Sequence, residues 1–563
     1  MKTKLFPLLS ALALYGAAPP LQAAEFWVGA GSACQYAAIQ DAIDAARATP
    51  EADTIRIAKD GAYTNQALSI DTPVSLVGGH LACGNAERDG YTSLEGNSRR
   101  AVLAVFSDAP ERIEVHLDRL DISRGGETLG STRRGGLSIG GNVHVRLHDS
   151  VVRNNYSGGG SGINVWGARA VLTLERWVDI RENTTYGNGG GILVDGGWLK
   201  IEPHGVTIKQ NRANINGKGG GIALVNGGVL TESTNPIGLP LPVEPVRIIQ
   251  NSGARGGGGI YVGGVNSKLL ASEILVNENT SDDGHGGGIL VENQGEAQLY
   301  GFVDAPFRGC RPEEECLRIS DNTSVRSGAA LAVRSGGTAY VAGAVVRGNA
   351  LTADRGGNAF LVEGNASNLK LSSSLVADNS CSPQISKCTV MEVISADGDR
   401  NTLNVQSSTF ARNGHETRQL IAVAGNGEGD VNIHVDLTLV ADKDHTINSW
   451  GDGEDWPSGL TLVTRSMRNR GPNVDDPDSL VRPIVFADPA NGDYRLMPGN
   501  IAIDYGEGSD STPTMDLDHR PRGIDDPAHP NRNNSARNTY DIGAYEFHAV
   551  YDRIFADGFE TTP

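Results

Sequence analysis

Aromatic residues make up only 6% of this 563-residue chain, too few large rings for an ordinary compact globule of that length. Beyond residue 24 no stretch approaches about 18 uncharged apolar residues, which excludes a helical membrane span there. Positive charge is in deficit: 48 Lys and Arg against 67 Asp and Glu give a net charge of −19. That balance argues against nucleic acid as a partner, because the electrostatic footprint has the wrong sign. No phosphate-binding loop or His-Glu-x-x-His motif occurs, so these signatures of nucleotide and zinc chemistry are missing. Helical periodicity is absent from residues 154 to 413.

What the chain does have is glycine, 73 residues of it, set in a recurring pattern. An apolar pair leads into an Asn, a polar loop follows, and a glycine cluster opens onto an apolar run. The pattern reads Val151-Val152-Arg153-Asn154 with Gly158-Gly159-Gly160-Ser161-Gly162-Ile163, then Ile180-Arg181-Glu182-Asn183 with Gly189-Gly190-Gly191-Ile192. It returns at Asn211 with Gly219-Gly220-Gly221-Ile222, at Asn251 with Gly257-Gly258-Gly259-Ile260, and at Asn279 with Gly286-Gly287-Gly288-Ile289. Looser copies stand at Asn322, Asn349, Asn379 and Asn413. The isoleucines after the glycines are spaced 29, 30, 38 and 29 residues apart, and a period in this range marks a repeat architecture.

Each period holds short β-rich runs such as Gly197-Trp198-Leu199-Lys200-Ile201 and Val246-Arg247-Ile248-Ile249, bounded by Gly or Asn. Three such runs per turn, stacked about 4.8 Å apart, give equivalent strands that pair in parallel. Glycine suits corners with positive φ or close backbone approach. A recurrent Asn suits a corner too, since it tolerates the left-handed region, and stacked Asn side chains could form an internal amide ladder. If residues 53–465 are all solenoid, the period gives roughly 14 turns and a rod on the order of 65–70 Å.

The alternation of apolar-x-x-Asn with Gly-Gly-x-Ile resembles the repeat of polymorphic outer-membrane proteins and related right-handed parallel β-helix proteins of Gram-negative bacteria. The resemblance covers roughly half the chain. It implies an all-β, right-handed, single-stranded parallel β-helix of three strands per turn with a short amino-terminal capping helix. Pectin-degrading enzymes, tailspike-like depolymerases, adhesins and surface structural proteins share that fold, so function has to come from a site.

The chain divides accordingly. Residues 1–24 read as a secretory signal: Lys2 and Lys4, an apolar Leu5–Ala18, and a small-residue cleavage site at Ala23-Ala24. Export to the extracellular space or the outer membrane follows, and removing two lysines takes the charge from −19 to −21. Residues 25–96 form the cap and first coils, in which Ile39, Ala42, Ile43 and Ala46 have helical spacing. Residues 97–465 form the β-helix, 466–547 a carboxy-terminal cap module and 548–563 a tail ending in Ile554-Phe555-Ala556-Asp557-Gly558-Phe559-Glu560.

Six cysteines in an exported chain suggest disulfides. The economical pairing is Cys34–Cys83, Cys310–Cys316 and Cys381–Cys388, although sequence alone leaves connectivity open and a metal site is the rival. Thr231–Pro245 and Asp304–Cys316 interrupt the period; ordinary length drift is the preferred reading, and they are also the best pointer to where a ligand would sit. In the tail, Ala502-Ile503-Asp504-Tyr505-Gly506, Asp516-Leu517-Asp518-His519-Arg520-Pro521-Arg522 and Asp541-Ile542-Gly543-Ala544-Tyr545-Glu546 are similar to a carboxy-terminal module of secreted bacterial β-helices. Two readings stand there. Asp side chains bond loop amides of a last-coil cap while Arg520 or Arg522 pairs with Asp541 or Glu546, or Asp504, Asp516, Asp518 and Asp541 hold Ca²⁺, a hard cation that wants clustered oxygens. No other cofactor is implied.

One cluster suggests catalysis: Ser281-Asp282-Asp283-Gly284-His285-Gly286. Galacturonan hydrolases of this fold carry an Asp pair and a Gly-His-Gly on different turns, with an Asn-Thr-Asp and an Arg-x-Lys. Here the pieces are contiguous and the last two are absent, so a solvated loop is the preferred reading of Asp282, Asp283 and His285. The expected function is therefore a non-catalytic exported rod that binds carbohydrate or another surface through side loops. A polysaccharide lyase or glycoside hydrolase acting on uronate-rich polymers is the alternative; oligomeric state stays open.

Overall fold

The computed structural model describes residues 23–548 except 50, 128–133, 203, 233–243, 273, 302–316, 354–355, 386–387, 397, 415–418, 426–429, 442–444, 450–458, 469–479, 482–483, 509–512 and 532–538. The central turns pass through the same series. Ile163–Trp166, Val171–Leu174, Asp179–Arg181 and Thr184–Thr185 complete one turn, and Ile192–Asp195 opens the next. The residues after the glycines pair in parallel, Ile163 with Ile192, Ile192 with Ile222, Ile222 with Ile260 and Ile260 with Ile289. The four strands of a turn define four ladders. The first is a 13-stranded sheet, the second and third merge into a 27-stranded sheet, and the fourth is an 8-stranded sheet of two-residue strands. The three longer strands per turn are as expected; the fourth is an addition that the glycine-rich loop conceals in the sequence.

The result is a parallel β-helix of about 12 turns, shorter than the expected 14. Dividing by 29 undercounts the chain that insertions consume: the first-ladder partners Ile222 and Ile260 are 38 residues apart, and Ile289 and Leu331 are 42 apart. At about 4.8 Å per turn the coil is about 55–60 Å long.

Strand alternation sorts the side chains. Ile163, Val165, Leu172, Leu174 and Ile180 point inward and are fully buried, and one continuous apolar core runs from Val28 to Val440. The Asn residues close each turn from within. Asn183 Nδ2 donates to Asn211 Oδ1 at 2.9 Å, Asn211 to Asn251 at 3.0 Å and Asn251 to Asn279 at 3.0 Å. The same oxygens also accept the backbone N–H of the preceding Asn, as Asn251 Oδ1 does from Asn211 at 3.0 Å. The second Nδ2 proton goes to a carbonyl one turn back, Asn251 to Ile208 at 2.9 Å. The chain of amides runs from Asn155 to Asn413.

The ladder corrects the reading of the corner. Its first member is Asn155 rather than Asn154, which sits at φ 53° just before it. Across the turns it is the residue before the ladder Asn that takes the left-handed conformation, as at Glu182 (57°), Gln210 (55°) and Gln250 (56°). The Asn is there for its side-chain amide. Two glycines of each triplet have separate duties. Gly219 adopts φ 70°, whereas a Cβ on Gly221 would come within 2.7 Å of the Gly259 carbonyl and 3.1 Å of Asn251 Nδ2.

The expected helix spans Ile39–Ala46 and buries Ile39, Ala42, Ile43 and Ala46, which join the main core. Disulfides Cys34–Cys83 and Cys381–Cys388 are formed, whereas Cys310 and Cys316 lie outside the described residues. Residues 1–22 of the leader and the Ile554–Glu560 motif lie outside them as well. Among the described residues no helix is long and apolar enough to cross a membrane.

The carboxy-terminal module differs from a simple last-coil cap. Tyr494 packs with Val345, Leu375, Ala377, Ala411 and Ala441, and Leu496, Ile503, Ile542 and Phe547 pack with Leu437 and Leu439. It therefore lies along the flank of several late turns. The cause is visible in the third ladder, whose outward residues change from Asp179 and Arg181 to Leu375 and Ala377, an apolar stripe that has to be covered.

Removing one rung of the amide ladder tests its weight. Asn251→Ala leaves a buried carbonyl, an amide N–H and two neighbouring Asn groups short of partners. The expected loss is about 3 kcal/mol or more, read from the denaturant midpoint; a loss within about 1 kcal/mol would mean that apolar stacking alone holds the turn.

Candidate functional site

The outward face of the second ladder carries the charge. Val74–His80, Ile113–Asp118, Val143–His148, Val171–Leu174 and Trp198–Ile201 are its successive early strands. Parallel register builds columns from residues far apart in sequence. Ser75, His116, Arg146, Thr173 and Lys200 stand in one column, and Val77, Asp118 and His148 in the next. An open hollow of about 320 Å³ is lined by the first three residues of each column together with Leu117 and Glu175, at the lower end of small-ligand sites.

The polar groups in the hollow are interlocked. His148 Nδ1 lies 3.0 Å from Asp118 Oδ1 and 3.7 Å from Asp149 Oδ2. Arg88 pairs with the other Asp118 oxygen, Arg146 with Glu175 at 2.6 Å and Arg119 with Asp149 at 3.9 Å. Burial alone would raise the Asp118 carboxyl, but hydrogen bonds from His148 and Arg88 outweigh it and hold it below the ordinary value. The Asp118 hydrogen bond, against burial, raises His148, with the charges of Asp149 and Asp118 adding to it and Arg176 opposing.

Arg176 is placed differently from the other arginines. Its Nε and Nη2 donate to His148 Nε2 at 3.2 and 3.0 Å, and among the described residues no carboxylate forms an ion pair with it. A ring nitrogen that accepts from Arg176 carries no proton, so this geometry is that of neutral His148 with Nδ1–H directed at Asp118. The raised pKa says that the ring takes a proton readily, and Arg176 must swing away when it does. The next turns add exposed aromatic faces, Trp177 (53% exposed) and Trp198 (40%).

Asp118, His148 and Asp149 bring ligand atoms within 4.8 Å of one another, the one such trio among the described residues. Arg88 and Arg119 already pair with its two carboxylates.

The residues singled out in the sequence lie elsewhere. Asp282 accepts from Ser252 at 3.0 Å and pairs with Arg212 at 3.3 Å. Asp283 pairs with Arg255 at 2.5 Å and Arg326 at 3.7 Å. His285 turns inward, Nδ1 at 3.1 Å from the Ser327 carbonyl oxygen, and burial, helped by the charge of Arg334, lowers it to about 4. The three are neighbours in the chain but face different partners. Thr231–Pro245 and Asp304–Cys316 are centred on residues 233–243 and 302–316, outside the described set.

The four tail aspartates belong to the flank module. Asp518 makes a paired contact with Arg495 at 2.6 and 2.8 Å. Asp516 accepts the amides of Arg520 (2.8 Å) and Glu546 (2.9 Å), and Asp541 those of Asp504 (2.8 Å) and Phe547 (2.5 Å). Asp504 accepts the Asp526 amide at 2.9 Å, and its Oδ1 is buried without a hydrogen-bond partner among the described residues. Arg522 lies 3.8 Å from Glu546. These are loop amides held by carboxylates, with oxygens that face N–H groups rather than one shared centre. Burial first, then neighbouring carboxylates, pushes Asp504 up to about 6, with the Asp526 amide opposing. Burial likewise pushes Asp516 up to about 7, against its amide hydrogen bonds. Asp541 and Glu546 are also raised by burial.

No family model, curated protein or solved structure matches this chain. Fold and site together define a parallel β-helix with a charged hollow on its second ladder. Sequence reasoning passed over His116, Asp118, Arg146, His148, Glu175 and Arg176. The available signal was two strands one turn apart, Glu114-Val115-His116-Leu117-Asp118 and His144-Val145-Arg146-Leu147-His148, with ionisable residues at every second position.

Two predictions follow from these contacts. Asp282→Ala and Asp283→Ala should each change stability by less than about 1 kcal/mol in thermal unfolding, because their ion pairs are solvent-exposed. For the flank module the sign is fixed by raised carboxyls: the stabilisation is complete below the ordinary carboxylate range and lost as pH rises through about 6 to 7. Hydrogen exchange of residues 493–508, corrected for its intrinsic pH dependence, should be slower at about pH 4.5 than at about pH 7.5; the reverse order would refute the linkage.

Proposed function

We propose that this protein is an exported surface or secreted β-helix that binds an anionic, uronate-bearing polysaccharide along the outer face of the second ladder. The observation that carries the reading is Arg176, a guanidinium held by an imidazole instead of a carboxylate, beside Trp177 and one turn from Trp198. A carboxylate entering the hollow would give that cation the partner it lacks, in the paired geometry that guanidinium favours. Lys200, which forms no ion pair among the described residues, adds a second positive charge in the adjoining column. Indole faces supply flat apolar area against which a sugar ring can lie. The existing pairs of Arg88 and Arg146 are partly exposed and weak enough to exchange.

The overall charge of −19 would repel a polyanion at long range, but beyond about 8 Å that repulsion is screened at physiological salt. Contact is then decided locally. The leader, the repeat and the tail's similarity to outer-membrane and secreted β-helices support export and a place outside the cell. A repetitive rod presents one long face, which suits a chain-like ligand better than a compact one.

The test is calorimetric titration with polygalacturonate, alginate and a neutral glucan. Binding to the uronates and not to the glucan is expected, with Arg176→Ala and Trp198→Ala each weakening it by about tenfold, or about 1.4 kcal/mol. Equal binding of the neutral glucan, or an unchanged Arg176→Ala protein, would rule the reading out.

A further inference from the structure

The fourth ladder carries an aromatic pair that lies apart from the hollow. Tyr156 belongs to Tyr156–Ser157, which pairs in parallel with Thr184–Thr185, and Tyr186 follows directly. The Tyr186 amide donates to the Ser157 carbonyl oxygen at 3.1 Å, so the two backbones are locked in register. Their rings meet edge to face, with centroids 5.2 Å apart and planes at 83°. The Tyr156 hydroxyl donates to that of Tyr186, and this bond, ahead of burial, pushes Tyr156 up to about 12. Both rings face solvent, at 41% and 51% exposed. Gly158 and Gly187 beside them carry no side chain that could shield them.

Exposed phenols in hydroxyl contact are placed for one reaction that isolated phenols are not. One-electron oxidation puts spin on the phenolic oxygen and on the two ring carbons that flank it. When two hydroxyls touch, flanking carbons of the two rings are brought together. In a product joined through those carbons the hydroxyls are still neighbours, so the starting contact already resembles the product. What remains is a rotation of two rings that are open to solvent.

We propose that Tyr156 and Tyr186 form a site of oxidative cross-linking, at which a carbon–carbon bond joins two successive turns of the coil. The cross-link is independent of what the hollow binds.

Each phenol gives up one electron and one proton to form a phenoxyl radical. The two radicals pair into one bond between ring carbons next to the hydroxyls. The hydrogen on each joined carbon then moves to the phenolic oxygen, which restores both aromatic rings. The net loss is two hydrogen atoms. The oxidant is hydrogen peroxide, which a haem peroxidase reduces to two waters, and the chain itself supplies only the geometry.

The bond falls on a thinly held seam. Thr184–Thr185 is the shortest of the four strands in its turn. Among the described residues no disulfide joins one turn to another between Cys83 and Cys381. Contact along the rod rests there on hydrogen bonds and packing. A covalent bond between Tyr156 and Tyr186 closes the intervening chain into a loop, and so removes freedom from the unfolded state as a disulfide does.

The experiment treats dilute full-length protein with hydrogen peroxide and a haem peroxidase, while free tyrosine oxidised in parallel shows that the oxidant works. The monomer should gain the blue fluorescence of dityrosine and lose the mass of two hydrogen atoms. A peptide map should join Tyr156 to Tyr186. Tyr156→Phe and Tyr186→Phe keep both rings, should match the unoxidised wild type in circular dichroism, and should each abolish the cross-link in the monomer. Tyr91→Phe, at an exposed ring without a ring partner among the described residues, should leave it unchanged. Oxidised wild type should unfold at a higher denaturant concentration than oxidised Tyr186→Phe. Coupling that appears only in dimers, that maps to other tyrosines, or that survives either Phe variant overturns the assignment. An unreacted monomer under conditions that couple free tyrosine does so too, and an unchanged midpoint overturns the role as a brace.

Discussion

A buried ladder Asn has two donor protons and a carbonyl to satisfy, and in this molecule it does so against another Asn one turn away and against backbone groups. That requirement ties each turn to the next at one fixed point of its circumference. Asn251 contacts Asn211 on one side and Asn279 on the other, so a slip of one residue in any turn would break pairings on both sides. The glycine before each isoleucine lies at the same point, where a Cβ on Gly221 would strike the Gly259 carbonyl and crowd the Asn251 amide. Insertions fall between ladder points, which is why the period varies while the register does not.

Once register is set, the outer surface becomes a grid. Residues about 30 apart stand side by side, and residues two apart stand in adjacent columns. A site on such a surface needs no long-range fold-back and no loop of its own. Asp118 and His148 meet because they occupy the same place in successive turns, and Arg176 reaches them from the corner that follows the next strand. The repeat makes the scaffold and the departures from it make the chemistry: two strands carry His, Arg and Asp where later ones carry Thr, Lys, Leu or Gln.

The flank module shows the opposite use of the same grid. Late turns place Leu375, Ala377 and Ala411 outward, and the tail folds back to bury them with Tyr494. Its carboxylates then serve as amide acceptors inside a covered region, at the cost of raised pKa values. Glu546 binds the amides of Gly523 and Ile524 at 2.7 and 3.0 Å while facing Arg522, an arrangement that joins the distant segments into one unit.

Much of the fold was legible in the chain. Period, strand alternation and the helix at Ile39–Ala46 are local or nearly local features, and local features leave patterns that spacing reveals. The candidate site was not legible in the same way. Asp282, Asp283 and His285 drew attention because they are contiguous, yet adjacency along a strand or tight loop sends side chains to different faces. Asp118, His148 and Arg176 are spread over 59 positions and form a site only through parallel register. The sequence by itself determined that the chain coils, at what interval, and which residues close each turn. The tertiary structure decided which coils lie in contact across inserted loops, which outward residues stay open to solvent and which the tail covers. Contact between turns is set by the stacking of whole backbones, a collective property that no single stretch of residues encodes.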